Sequence, residues 1–192
     1  MKLNMRQALG VTLVELVIVI VIIGILAVAM GPLALQSLRT YNNTLGDVVL
    51  LDKLRYATER LAREIRAVDY VSGTGFSFTS MGVSSVAFTR TLYDAVGSGV
   101  QDTVTVGNTG VAVTMAYAKL PAAGAQVLTD ELGSLSFTYL DQNGCAAGNV
   151  TPPCTGAAVF ASGVSMVQID LKLTHNGKDF PQRTLIQLKN IN

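Results

Sequence analysis

An α+β fold, in which one long amino-terminal helix covers an antiparallel β-sheet, is what this 192-residue sequence predicts. Three observations carry the prediction. Residues 11–35 are apolar with a single charge, residues 51–68 repeat apolar side chains at steps of three and four, and the chain from Ser72 onward is rich in Gly, Ser, Thr and Val in alternating patterns. The first two are helical signals, and the third is a strand signal.

The apolar run comes first. Its roughly 25 residues are enough to cross a hydrocarbon core about 30 Å thick. The one charge within it is Glu15. A carboxylate in a membrane segment costs about 2.5 to 3.5 kcal/mol even on lenient insertion scales, so it calls for an offset. Spacing leaves several readings open. Glu15 is near the polar end of the run and can snorkel to water. An ordinary secretory signal also fits, with Lys2 and Arg6 as the charged start, residues 16–26 as the apolar region and Ala27-Val28-Ala29 as a cleavage site. Lys2 and Arg6 precede the run and the next charge is Arg39, so the positive-inside rule keeps the amino terminus cytoplasmic and sends the rest across.

Helical patterning then resumes. Gly31-Pro32 lacks one backbone donor and is expected to kink the helix or break it locally, and residues 40–46 contain weak helix formers. Leu51, Leu54, Ala57, Leu61, Ile65 and Val68 mark one apolar face. Lys53, Arg55, Arg60, Arg63 and Arg66 are interleaved with Asp52, Glu59 and Glu64, which predicts a solvated charged face with Glu59–Arg63 and Arg60–Glu64 pairs. The interleaved acids weaken the field that a phosphate backbone would need. An unbroken helix from residue 11 to 68 would measure about 85 Å, too long to be hidden in a domain of this size.

Strands are expected at residues 75–79, 85–91, 111–118, 134–141, 165–175 and 183–189. Met166, Gln168, Asp170, Lys172 and Thr174 alternate with Val167, Ile169, Leu171 and Leu173, so that strand has one apolar and one wet face. Asn176-Gly177, with a short polar link after it, turns this strand into an antiparallel hairpin. The striped helix is the available cover for the apolar face.

Composition narrows the function. The formal net charge is +1, and −1 without Lys2 and Arg6, which argues against general nucleic-acid binding. The chain has no Trp and a single histidine, His175, expected as an exposed turn residue, and it contains no G-x-S-x-G, H-E-x-x-H, C-x-x-C or P-loop motif. Asp141-Gln142-Asn143-Gly144 opens like a calcium loop, but the twelfth position is Pro152, so a turn is expected. Catalysis, a cofactor and a metal are not implied. Cys145 and Cys154, in a chain sent to an oxidising compartment, are expected to form a disulfide closing a small loop, worth about 2 to 3 kcal/mol in the chain-entropy model.

Gly10-Val11-Thr12-Leu13-Val14-Glu15, followed by Ile23-Gly24-Ile25-Leu26-Ala27 and Gly31-Pro32, resembles the class III signal of type IV prepilins and type II secretion pseudopilins. The resemblance implies a type IV pilin-like fold and a prepilin peptidase that cuts between Gly10 and Val11 and methylates Val11. It implies that Glu15 pairs with the amino terminus of a neighbouring subunit and that Pro32 kinks the helix. The family usually begins its mature chain with Phe, where this chain has Val11. Expected partners are sister pilin or pseudopilin subunits, the peptidase, an inner-membrane assembly platform and its ATPase, and membrane lipids; no nucleic acid is expected.

Two shorter stretches, residues 59–66 and 132–141, resemble J-type minor pseudopilins and the corresponding minor pilins, including those of mannose-sensitive haemagglutinin pili. Glu15 sets the chain apart from the K-type tip subunit. The organisation implied is a leader at 1–10, an assembly helix at 11–35, an amphipathic helix at 36–70 and an extracytoplasmic β-rich domain at 71–192. The alternative is a secreted or membrane-tethered β-rich binding protein whose apolar run serves only as signal or anchor.

Overall fold

The computed structural model describes residues 12–93, 97–119, 124–146 and 163–188. Helix α1 (Leu13–Arg66) is followed by β1 (Tyr70–Val71), β2 (Gly75–Phe76), β3 (Phe78–Met81), β4 (Val86–Tyr93), β5 (Gly99–Asn108), β6 (Val113–Tyr117), β7 (Gly124–Thr129), β8 (Leu132–Leu140), β9 (Met166–His175) and β10 (Lys178–Gln187). This is an α+β layout consistent with a type IV pilin fold. The chain divides into two compact units, Met1–Asp47 and Val48–Asn192. The division falls inside the segment that the sequence reads as one amphipathic helix.

In the first unit, α1 is apolar from Leu13 to Met30 except at Glu15, and none of these side chains is buried. The helix is continuous through Gly31-Pro32 and through residues 40–46, so of the kink or local break expected at Gly31-Pro32 the break does not occur. Pro32 removes only one donor. Downstream, Ser37 Oγ and Thr44 Oγ1 donate back to Leu33 O and Thr40 O, each at 2.9 Å, so these polar residues bond to the helix rather than interrupt it.

In the second unit, α1 continues as a striped helix. It buries Leu50, Leu54, Ala57, Leu61 and Ile65, with Thr58, Ala62 and Glu64 beside them. The stripe begins at Leu50, whereas Leu51, placed on the apolar face by its spacing, is about half exposed. A step of four from Leu50 reaches Leu54, and Ala57, Leu61 and Ile65 continue that line. The core packed with it is drawn from Val86 and Phe88 of β4, Val104 and Val106 of β5, Met115 of β6, Val167, Ile169, Leu171 and Leu173 of β9, and Ile186 of β10.

The strands form two main antiparallel sheets rather than the single sheet expected, in the orders β10-β9-β8 and β3-β4-β5-β6-β7, with β1-β2 as a small ribbon. β8 ties them together: Phe137 N donates to Val83 O at 2.7 Å and Tyr139 Oη to Gly82 O at 3.1 Å. Burial pushes the Tyr139 hydroxyl pKa up. β5 and β7 were not expected. β5 hides because Asp102 occupies the inward row with Val104 and Val106, and β7 because most of it is exposed and lacks alternation.

The β9–β10 hairpin turns in two residues. Asn176 (φ 50) and Gly177 (φ 74) take the left-handed backbone that such a turn requires. β10 therefore starts at Lys178, with no polar link, and includes Pro181. A proline is tolerated there because β10 is an outer strand.

Candidate functional site

The first turn of α1 is built by two residues of the motif. Thr12 precedes the helix and its Oγ1 accepts the backbone N–H of Glu15 at 3.3 Å, while its carbonyl accepts Leu16 N at 3.2 Å. Thr12 is thus an N-cap and Glu15 the third helical residue, the spacing of a capping box. A carboxylate in the first turn also faces the positive end of the helix dipole. Glu15 is exposed, and among the described residues no group donates a hydrogen bond to its carboxylate. It is the single charge in an apolar surface that reaches Gly31-Pro32. Among the described residues, α1 is the one helix long and apolar enough to cross a membrane.

A contiguous exposed apolar surface of this kind marks a site of membrane or protein contact. Residues 5–31 match the family model described as the prokaryotic N-terminal methylation motif. The chain carries a type IV pilin-like prepilin leader. The leader points to a structural protein, and in general to prepilin peptidase processing and to contact with other pilins; with α1 it fits a membrane-anchored single-pass protein. No curated protein matches the chain. Gly10 and Val11, the residues of the expected cut, lie outside the described residues, as does Cys154. Cys145 is buried and is not a free cysteine.

Elsewhere, the two polar positions that the sequence assigns to turns, Asp141 and His175, bond within the fold. Asp141 Oδ1 accepts the backbone N–H groups of Asn143 and Cys145, each at 2.8 Å, and Gly144 N donates to Asp141 O at 3.0 Å. That is an Asx-type turn, with the carboxylate turned onto its own backbone. Among the described residues no group of three or more His, Cys, Asp and Glu is placed to hold a metal. His175 is not a free turn residue: its Nδ1 is 2.5 Å from Glu131 Oε1, and Lys53 Nζ bridges Asp130 at 2.6 Å and Glu131 at 3.2 Å. The hydrogen bond with His175 holds the Glu131 carboxyl below its usual range, and the bond from Lys53 does the same for Asp130.

One cluster escaped sequence reasoning. Glu64, expected on the solvated face, is 2% exposed. Arg60 Nη2 reaches its Oε1 at 2.9 Å, as the spacing foretold, and Tyr117 Oη donates to the same oxygen at 3.0 Å. Arg90 Nη1 donates to Oε2. Arg90 and Asp102 are cross-strand partners on β4 and β5, with Arg90 Nη2 4.0 Å from Asp102 Oδ2 and the guanidinium 4.8 Å from the centre of the Tyr117 ring. Asp102 Oδ1 also accepts Lys119 N at 2.9 Å. Burial pushes the Tyr117 hydroxyl pKa up. Two acids and two guanidiniums thus balance where α1 meets the larger sheet.

Proposed function

We propose that the chain is a minor pilin or pseudopilin, processed by a prepilin peptidase and incorporated into, or initiating, a type IV pilus or type II secretion pseudopilus. The observation that carries this reading is the methylation motif at residues 5–31. In this reading the peptidase cuts after Gly10 and methylates Val11, the amino terminus starts in the cytoplasm, and the second unit is extracytoplasmic. Gly31-Pro32 is where the helix bends on assembly, and Cys145 pairs with Cys154. Residues 59–66 and 132–141 favour the J-type minor branch. The partners are sister subunits held by an assembly platform.

Glu15 is the residue with a specific task, to meet the new amino terminus of a neighbour. A buried charge without its partner costs about 3 to 5 kcal/mol, so Glu15→Ala should be cleaved normally yet enter filaments poorly. Mass spectrometry of the mature amino terminus, in cells with and without the peptidase, tests the reading. A methylated Val11 that disappears without the peptidase is expected. A chain beginning at Met30 in both strains would instead assign the run to a secretory signal.

A further inference from the structure

The basic residues of α1 in the second unit are not alike. Lys53, Arg55 and Arg60 each reach an acid, at Asp130 and Glu131, at Glu59 and at Glu64 respectively. Arg63 and Arg66 are exposed, and among the described residues neither has an acidic partner. In the last turn of α1 they complement the helix dipole, but that alone does not explain their surroundings. With Thr58, Glu59 and Ala62 they form one wall of a groove of about 340 Å³ whose other wall is Gln182 and Thr184 of β10.

Among the described residues β10 is the outer strand of its sheet, and its register shows which of its backbone groups have no strand partner there. The two-residue turn makes Lys178 and His175 the closing bonded pair, so even-numbered residues of β10 bond to β9. Leu188, one residue beyond the strand, keeps this parity and donates to Ser165 O at 2.9 Å. The odd-numbered residues Arg183, Leu185 and Gln187 therefore point their N–H and C=O groups away from β9. Pro181 stands in the same outward row, where its missing donor breaks no bond of the sheet.

We propose that this groove receives an extended acidic segment of a partner protein, which adds to β10 along residues 183–187 while its carboxylates meet Arg63 and Arg66. The edge asks for donors as well as acceptors, at the spacing of alternate strand residues, and a peptide backbone offers both. Nucleic acid and anionic headgroups offer acceptors without a matching row of donors. The two unmatched guanidiniums select an acidic strand over a basic one. The site does not depend on α1 entering a filament.

The test uses the full chain in detergent micelles and a blocked hexapeptide alternating glutamate with valine, with amide hydrogen exchange followed by NMR. Exchange should slow at Arg183, Leu185 and Gln187 and stay unchanged at Thr184 and Ile186, which are already bonded. The double variant Arg63→Glu, Arg66→Glu should weaken binding about tenfold, the scale of two exposed ion pairs. Leu185→Pro should abolish protection, and unchanged even-numbered amides would show that the sheet persists. The proposal is overturned if the outward amides gain no protection, if a lysine–valine peptide protects them equally, or if a single-stranded oligonucleotide does.

Discussion

Residues 13–30 and 48–66 are turns of the same α1, yet the first stretch is apolar but for Glu15 and exposed, while the second buries one apolar stripe and leaves Val48, Val49, Leu51 and Tyr56 exposed beside it. The difference lies in the angular distribution of side chains. A helix that is apolar all round can be satisfied only by surroundings that are apolar all round, whereas a striped helix needs one sheet face. Stability in the second unit is set within the chain, and that of the first by what the chain joins.

The sharpest way to break this contrast is at Glu64. Glu64→Ala leaves Arg90 and Arg60 without their shared acid and should destabilise the second unit by about 3 to 5 kcal/mol, read from denaturant unfolding of the full chain in micelles. Retention in the membrane fraction should be unchanged. Loss of retention would mean that the two stretches depend on each other. Conversely, Ile22→Arg, in the exposed run, should cost about 2.5 to 3.5 kcal/mol of insertion and lower the membrane-bound fraction, with no shift in the unfolding midpoint.

The smallest effect concerns acid. Asp130 and Glu131 have carboxyls held below their ordinary range in the folded state, so their contribution is present above that range and is lost as the pH falls through the folded values. Unfolding midpoints measured in steps from pH 6 to about pH 3 should fall modestly, and Lys53→Ala should flatten the decline below the ordinary carboxylate range.

Much of the fold was legible because it is written in short-range order. The stripe on α1, the β4, β6, β8 and β9 patterns and the Asn176-Gly177 turn each depend on neighbours a few residues apart. What stayed hidden depends on distant partners. Glu64 borders the stripe, next to Ile65 and three positions from Leu61, and whether such a residue is wet or buried depends on what the sheet brings. Here the sheet brings Arg90, Asp102 and Tyr117, and the pairing of Arg90 with Asp102 also let a charge occupy an inward row and disguise β5. The division into two sheets was illegible for a related reason, since edge positions are set by packing and not by strand composition. At the candidate site, Glu15 and the run around it were plain from composition, but the Thr12 cap beneath them became visible only in the backbone.

That cap has a consequence for maturation. Both members of the opening turn, Thr12 and Glu15, are downstream of the junction between residues 10 and 11, so the bonds from Glu15 N to Thr12 Oγ1 and from Leu16 N to Thr12 O join residues on the same side of it. The proposed cut at that junction would leave these two bonds, and with them the cap, on the mature side of the break.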